Sequence, residues 1–133
     1  MHVAGTMDVN TNAYTMYING VSVKIKSTST SCTAITQAGN LQVGAYNGGT
    51  FIDGKICQVR VWSDIRSTTE IRDNMNQELA GSESGLVALF ALDGDANDGT
   101  SNSNDLTGSG GAAATTVDNP LNDTEYAVIT SVS

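Results

Sequence analysis

The sequence predicts an all-β protein, an antiparallel two-sheet β-sandwich with one short helix. Composition gives the first indication, because 133 residues include fourteen glycines, a single proline and only 15% charged residues. This balance is typical of short strands joined by polar turns, whereas long helices contain more Lys, Glu, Leu and Ala. The second indication is an alternation of apolar and polar residues on both sides of Asn19-Gly20. The length fits one domain.

The clearest element is a β-hairpin centred on Asn19-Gly20. Apolar side chains recur at every second position within Ala13–Ile18 and again within Val21–Ile25. Both central residues of a type I′ turn need positive φ, which Asn and Gly tolerate. Since an antiparallel sheet packed on one side has one apolar face, that face is expected to lie against the core. The residues predicted to be buried are Met16, Ile18, Val21 and Val23.

Four other segments have the character of strands. They are His2–Met7, the alternating stretch Leu41 to Ala45, Lys55–Trp62 and Leu86–Leu92. The last is a continuous apolar run, short enough for a strand buried on both faces. Residues 27–36 are polar and β-branched, which favours a loop with a short edge strand.

One segment, residues 67–79, is predicted to be a helix. Ser67 and Glu70 have the spacing of a capping box, in which each side chain accepts a hydrogen bond from a backbone N–H at the helix start. Gly81 stands where a helix would stop. The apolar stripe at helical spacing consists of Ile71, Met75 and Leu79.

Charge disfavours two classes of partner. The formal net charge is −8, from six basic and fourteen acidic residues. Affinity for nucleic acid depends on basic side chains, so no nucleic-acid partner is expected. The same sign disfavours anionic membrane surfaces, and no run of eighteen apolar residues predicts membrane insertion. No signal peptide is visible, since the segment beginning at Met1 has the pattern of a strand.

The two cysteines, Cys32 and Cys57, leave two interpretations open. A disulfide between them would stabilise the fold by roughly 3 kcal/mol through the loop that it closes. Two free thiols are the alternative. A zinc site is disfavoured, because two separated cysteines and one histidine do not supply four ligands.

Taken in order, the strands and the helix resemble the laminin-G-like, concanavalin-A-like superfamily of jelly-roll sandwiches. The resemblance covers about four-fifths of the chain, roughly residues 2–110, and rests on the order of several segments. Those that carry it are His2–Asp8, Met16–Gly20, Leu41–Ala45, Phe51–Trp62, the helix and Gly85–Phe90. It implies a mostly non-enzymatic module that binds glycans or proteins, often with calcium, on secreted proteins, cell surfaces or virions.

The resemblance also implies an incomplete sandwich. Domains of this superfamily have several strands before the position of His2, so residues 1–110 are expected to form a β-sandwich that lacks its opening strands. Residues 111–133 are expected to be a C-terminal tail with an extra strand at Tyr126–Val132, where apolar residues alternate. An uncovered apolar face favours association. A homo-oligomer or a partner-completed assembly is therefore predicted.

An acidic loop is a candidate calcium site. Calcium takes six to eight oxygen ligands, and Asp and Asn at alternating positions can converge on one ion. The same residue types dominate ordinary turns, which is the alternative interpretation and the favoured one. The candidate ligands are Asp93, Asp95, Asn97, Asp98 and Asp105.

Aromatic residues near turns are candidates for a glycan site, because pyranose faces stack on flat rings. Tyr46 precedes a glycine-rich loop tip, and Tyr17 lies on the polar side of its hairpin. Trp62 ends a strand and is interpreted as a core residue. The candidate ligand-binding residues are Tyr46, Asn47, Asp53 and Tyr17.

The sequence predicts no enzyme. Glycosidases of this superfamily place closely spaced carboxylates on one strand, in the pattern Glu-x-Asp-x-x-Glu. Here the four glutamates are scattered. The predicted function is a non-catalytic module that recognises glycan or protein on an extracellular or virion surface. The alternatives are a purely structural virion subunit, such as a decoration or tail-fibre protein, and, more remotely, a glycosidase.

Overall fold

The computed structural model describes residues 1–27, 41–46, 50–108 and 111–113, with the backbone alone for residues 25–27. The described part contains antiparallel strand pairs and one short helix, which confirms the predicted fold class, although its sheets do not close into a complete sandwich. The elements are β1 (Val3–Asp8), β2 (Ala13–Ile18), β3 (Val21–Ser27), β4 (Ala45–Tyr46), β5 (Thr50–Phe51), β6 (Val59–Trp62), α1 (Thr68–Asn74) and β7 (Leu86–Phe90). The sheets are β1-β2-β3, β4-β5 and β6-β7.

The predicted hairpin is confirmed. Asn19 and Gly20 both have positive φ, 49° and 74°, and they join β2 to β3. A β-bulge interrupts the register between Met16 and Tyr17 of β2, which adds one residue on the β3 side. The turn lies against the helix, because a Cβ on Gly20 would be 3.0 Å from the Cβ of Arg72.

The prediction of which hairpin face is buried is wrong for the described chain. Residues Ala4, Thr6, Thr15 and Tyr17 form the inner face of the β1-β2-β3 sheet, and Tyr17 is only 7% exposed. Alternation fixes the period of a strand but not the side on which the core lies. The opposite face, here called the outer face, is exposed in the described chain; it carries Val3, Met16, Ile18 and Val21 together with Lys24, which pairs with Met16, and exposed Val23 is the unpaired residue at the bulge.

The β6-β7 pair forms the centre of the core. Phe90 is 1% exposed, the most deeply buried large side chain described. Backbone bonds beyond both ends extend the pairing, from Gln58 N to Ala91 O (3.1 Å) and from Ser63 N to Gly85 O (2.8 Å). The predicted buried strand within Leu86–Leu92 is thus confirmed. The buried apolar residues are Tyr17, Ile71, Leu86, Ala88, Leu89 and Phe90.

Three predicted strands are shorter than expected, each because of one residue with positive φ. Gly44 has a φ of 74° and precedes β4, so the predicted strand from Leu41 is regular only at its end. Gln58 has a φ of 54° and precedes β6. Leu92 has a φ of 56° and follows β7. Such a backbone conformation does not continue a β-ladder.

The helix begins as predicted and ends early. Both reciprocal bonds of the capping box are present: Ser67 N donates to Glu70 Oε2 (2.8 Å), and Glu70 N donates to Ser67 Oγ (3.2 Å). The helix ends at Asn74 instead of residue 79. There Asn74 Nδ2 donates to Glu70 O (2.8 Å), and the Arg60 guanidinium donates to the carbonyls of Asn74 and Gln77. Arg60 thus satisfies carbonyls that another helical turn would have used.

Two predicted strands fall on segments that the structure does not describe. The short edge strand within residues 27–36 and the strand Tyr126–Val132 lie outside the described residues, apart from Ser27, the last residue of β3. In the part that the structure describes, no helix has the length and apolarity needed to cross a membrane.

Candidate functional site

The β4-β5 hairpin presents the most exposed aromatic residue of the described chain. Tyr46 is 72% exposed and pairs with Thr50, while Ala45 pairs with Phe51. The ladder continues through Ile52 N, which donates to Gly44 O (2.9 Å). Phe51 and Ile52 are exposed as well. A backbone-paired hairpin therefore carries an aromatic and apolar surface without being covered by the rest of the described chain.

Of the predicted ligand-binding residues, two are exposed and one is buried in the structure. Tyr46 and Asp53 are both exposed, one on β4 and one two residues after β5. Asn47 lies outside the described residues. Tyr17 is buried on the inner face, so the interpretation that placed it on an exposed polar side is wrong. Tyr17 pairs with Ala4 on β1 and with Ser22 on β3, so the three side chains share the inner face.

In the acidic loop, Asp98 is a buried hydrogen-bond acceptor. Its Oδ1 accepts from Leu89 N (3.0 Å) and Thr100 N (2.9 Å), and its Oδ2 accepts from Asn104 N (2.9 Å) and Thr100 Oγ1 (3.0 Å). Burial raises the pKa of Asp98, but these donors together outweigh burial and hold the pKa well below its ordinary value. The carboxylate is already occupied by four internal donors.

This loop protects the free edge of β7. Asn102 Nδ2 (2.9 Å) and Asn104 Nδ2 (3.3 Å) donate to Val87 O, and Gly99 N donates to Leu89 O (2.8 Å). These bonds satisfy the edge of β7 that does not pair with β6. An unpaired edge would otherwise be open to another chain. The Asn- and Gly-rich sequence of the loop therefore has a structural role.

Three of the remaining candidate calcium ligands, Asp95, Asn97 and Asp105, form turn contacts. Asp95 Oδ1 accepts from Asn97 N (3.1 Å), its Oδ2 accepts from Asn97 Nδ2 (3.0 Å), and Asp105 Oδ1 accepts from Asp98 N (2.9 Å). Among the described residues, no group of three or more His, Cys, Asp or Glu side chains could hold a metal ion. The geometry favours the alternative of ordinary turns, and calcium binding stays a prediction of the sequence.

A cleft of about 120 Å³ lies between β1, β6 and α1. Arg66 is engaged there: its guanidinium lies 4.2 Å from the Trp62 ring centroid and pairs with Glu70 (2.8 Å) and Asp64 (3.2 Å). Two buried nitrogens of residues that line the cleft, His2 Nδ1 and Arg60 Nε, have no hydrogen-bond partner among the described residues. With a cation over its ring, Trp62 has a structural role in this cleft. Burial lowers the pKa of His2, and the nearby Arg60 lowers it further, so this imidazole is mostly neutral at pH 7.

The sequence left a disulfide and two free thiols both open for Cys57. This residue is half-buried, directly before the strained Gln58 that precedes β6. Cys32 lies outside the described residues. The disulfide and the free thiols therefore both stay predictions.

Two features of the site region were not predicted. One is Arg60, whose guanidinium links β6 to the end of α1. The other is the packing of Gly81, where a Cβ would lie 2.1 Å from Gly99 O and so displace the acidic loop. The positive φ of Gly81, 83°, was anticipated only as a helix stop, yet Gly81 lies well beyond the helix end. No local sequence pattern indicates either long-range contact.

Comparison with known proteins gives a family but no individual relative. A family model of the laminin G type, described as the concanavalin A-like lectin/glucanases superfamily, matches residues 1–72, more than half of the chain. Neither the curated proteins nor the solved structures include a match. The superfamily includes lectins as well as glucanases, most of its members are non-catalytic, and laminin G-like domains are commonly extracellular. Together with the antiparallel sheets and the hairpin register, this match shows that the chain belongs to the concanavalin A-like lectin/glucanase superfamily.

Proposed function

We propose that this chain is a non-catalytic module that recognises glycan on an extracellular or virion surface through the β4-β5 hairpin. The observation that carries the proposal is the exposure of Tyr46 on a backbone-paired hairpin. Loops and hairpins held by a rigid scaffold are where binding residues concentrate. A protein surface is the alternative ligand of the same module.

The chemistry of the hairpin fits a sugar. The face of a pyranose ring is apolar and stacks on a flat aromatic side chain, for which Tyr46 is available. Asp53 provides an exposed carboxylate close by in sequence, which can accept hydrogen bonds from hydroxyl groups. The paired backbone on both sides of the loop limits the entropy that binding would cost.

Two of the described glutamates, Glu70 and Glu83, support a non-catalytic role. A glycosidase needs a carboxylic acid whose pKa is raised so that it can protonate the leaving group. Here the backbone N–H of Ser67 lowers the pKa of Glu70, and the backbone N–H of Ala80 lowers that of Glu83. Both carboxylates serve local turns, Glu83 through Ala80 N (2.7 Å) and Gly81 N (3.0 Å).

The test is binding of the full chain to a glycan array, followed by titration of the glycans that it retains. We expect Tyr46→Ala to weaken binding by about tenfold or more, because one stacked ring contributes on the order of 1–3 kcal/mol. Tyr46→Phe is the matched control, since it keeps the ring and removes only the hydroxyl. It is expected to retain most of the affinity.

Two outcomes would count against this site. Equal affinity in Tyr46→Ala would place the binding surface elsewhere on the chain. Equal losses in Tyr46→Ala and Tyr46→Phe would show that the hydroxyl, and not stacking, carries the contact. Unchanged melting temperatures in both variants are needed to attribute the loss to binding.

A second candidate function is a structural virion subunit with no small ligand. The exposed outer face of the first sheet favours it, because an apolar face of this kind is typical of assembly surfaces. In that case the partner is a second copy or another subunit, in keeping with the predicted oligomer or partner-completed assembly. A chain that retains no glycan and sizes as a symmetric oligomer by light scattering would favour this function over glycan recognition.

A further inference from the structure

His2 is the only histidine of the chain, and it lines the cleft between β1, β6 and α1. It directly precedes β1, whose residues Ala4 and Thr6 line the same cleft. Two hydrogen bonds fix its backbone: His2 N donates to Asn19 Oδ1 (2.9 Å), and Asn19 N donates to His2 O (2.9 Å). The turn of the hairpin therefore holds this residue at the cleft.

The Nδ1 atom of the imidazole is buried and has no hydrogen-bond partner among the described residues. In a neutral imidazole that carries its proton on Nε2, Nδ1 is only an unused acceptor. A protonated imidazole has an N–H at both nitrogens, so Nδ1 would become a buried donor without an acceptor. Such an unsatisfied donor is unfavourable, and more so in a charged group. The geometry therefore disfavours the protonated form.

A fixed cation, the guanidinium of Arg60, lines the same cleft. It donates to the carbonyls of Asn74 and Gln77 and to Gln58 Oε1 (3.4 Å), all of them neutral acceptors. Its Nε is buried without a partner, and as a donor it cannot accept a bond from a protonated imidazole. A proton on His2 would place a second positive charge beside it, and like charges in a partly buried cleft repel each other.

The other charged groups that face the imidazole do not offset this repulsion. Arg66, from the segment before α1, and the α-amino group of Met1 are both positive. Glu70 of α1 is the carboxylate among the described residues that line the cleft, and it is engaged by Ser67 N (2.8 Å) and by Arg66 (2.8 Å). Asn19, from the turn after β2, is neutral. The surroundings thus favour a neutral imidazole from every side.

We propose that His2 is an acid-sensitive contact between the first sheet and the β6-α1 region, which weakens when its imidazole gains a proton. Burial and Arg60 hold the pKa of His2 below the ordinary value. The contribution of His2 to stability is therefore fully present above about pH 6.5, where an unfolded histidine is neutral, and is lost as the pH falls through the folded pKa. Relief of the repulsion separates His2 from Arg60, and so β1 from β6. Mild acid then opens the cleft, which is the use of histidine as a pH sensor.

The experiment compares the full chain with its His2→Phe variant by urea unfolding at about pH 7.5 and about pH 5.5. Phenylalanine keeps a flat ring in the cleft but does not titrate. Relative to the variant, we expect the unfolding equilibrium constant of the wild type to rise by about threefold or more as the pH falls. Because the chain has no other histidine, the difference between the two curves reports this imidazole. The α-amino group and the carboxylates are the same in both chains.

Fluorescence of Trp62 locates the response, because Trp62 is the only tryptophan and lines the same cleft. In the wild type we expect its emission to move to longer wavelength in mild acid as water enters the cleft. The midpoint should equal that of the His2 titration, which NMR measures directly on the single imidazole. His2→Gln is the matched control, since it is polar and does not titrate, and its emission should stay constant over the same pH range.

Equal pH dependence of unfolding in the wild type and in both variants would overturn the proposal. So would an NMR titration in which folded His2 gains its proton at or above about pH 6.5, because the folded chain would then not resist the proton. The NMR titration needs only the wild type, so it decides the question even if a variant does not fold. Glycan binding enters neither measurement, so the function of the β4-β5 hairpin is tested separately.

Discussion

The first sheet and the β6-β7 pair are both rich in apolar side chains, yet they bury them to very different extents. In β7, four of the five residues are buried. In β2, Tyr17 alone is buried, while Met16 and Ile18 are exposed. Sequence hydrophobicity is therefore a poor guide to burial in this chain, and the difference lies in what covers each strand.

The β6-β7 pair has a cover that the first sheet lacks among the described residues. Asp98, Gly99 and Asn102 satisfy backbone groups on one edge of β7, and β6 satisfies the other. The first sheet makes its described contacts through the inner face and the turn at Gly20. The comparison teaches that the acidic loop stabilises a strand, whereas no described residue covers the outer face.

The largest expected effect comes from removing the centre of the covered region. Phe90→Ala should lower the free energy of unfolding by about 3–5 kcal/mol, since it empties a fully buried aromatic site. The chain has a second phenylalanine, Phe51, which is exposed on the β4-β5 hairpin. Phe51→Ala is the matched control and should change stability by less than about 1 kcal/mol. Denaturant unfolding measures both, and comparable losses would mean that β7 is not the centre of the core.

Local chemistry made some elements predictable from sequence and left others open. The turn at Asn19-Gly20 and the capping box at Ser67 each depend on residues within a few positions, so their geometry could be predicted. The inward direction of Tyr17 and the end of α1 depend on distant groups, the latter on Arg60. Alternation gives a period without a direction, and a helix pattern does not indicate which side chain will satisfy the last carbonyls.

In the candidate site, too, the sequence predicted features that depend on nearby residues and missed those that depend on distant ones. Tyr46 could be identified because it precedes a glycine-rich loop tip, and its exposure follows from the short hairpin. The role of Asp98 could not be identified, because its donors come from β7 as well as from its own loop. Composition left calcium and turns both open for Asp95, with turns favoured, and its hydrogen bonds to Asn97 agree with a turn.

The second-largest loss of stability is expected at Asp98, whose carboxylate binds the free edge of β7. Asp98→Asn should lower the free energy of unfolding by about 1–3 kcal/mol at pH 7. The two carboxylate oxygens now accept from N–H groups, and in the variant the amide NH2 group would face some of these donors. The pKa of Asp98 lies below that of an unfolded aspartate, so its contribution is fully present above about pH 4 and is lost as the pH falls further. The difference between Asp98→Asn and wild type should therefore shrink below that pH.

Asp95→Asn is the control for this loop, because Asp95 is exposed and its carboxylate accepts hydrogen bonds from its neighbour Asn97. It should change the free energy of unfolding by about 0.5 kcal/mol or less. Urea unfolding at a series of pH values gives both curves. If the Asp98→Asn deficit were constant from pH 2 to pH 7, ionisation of this carboxylate would not be the source of its stabilisation.

The smallest effect is expected at the turn that joins the first sheet to the helix. Gly20→Val should lower the free energy of unfolding by about 1–2 kcal/mol, because a β-branched residue is strained at the φ of 74° found there. A Cβ at this position would also lie 3.0–3.1 Å from the Cβ and Cα of Arg72, so the helix would have to shift. Gly20→Asn separates these two causes, since Asn tolerates positive φ but still adds the Cβ. A loss of stability in Gly20→Val but not in Gly20→Asn would assign the cost to backbone strain. Equal losses in the two variants would assign it to contact with α1. Thermal melts of the two variants distinguish these results, and unchanged melting in both would mean that the turn does not fix the hairpin against the helix.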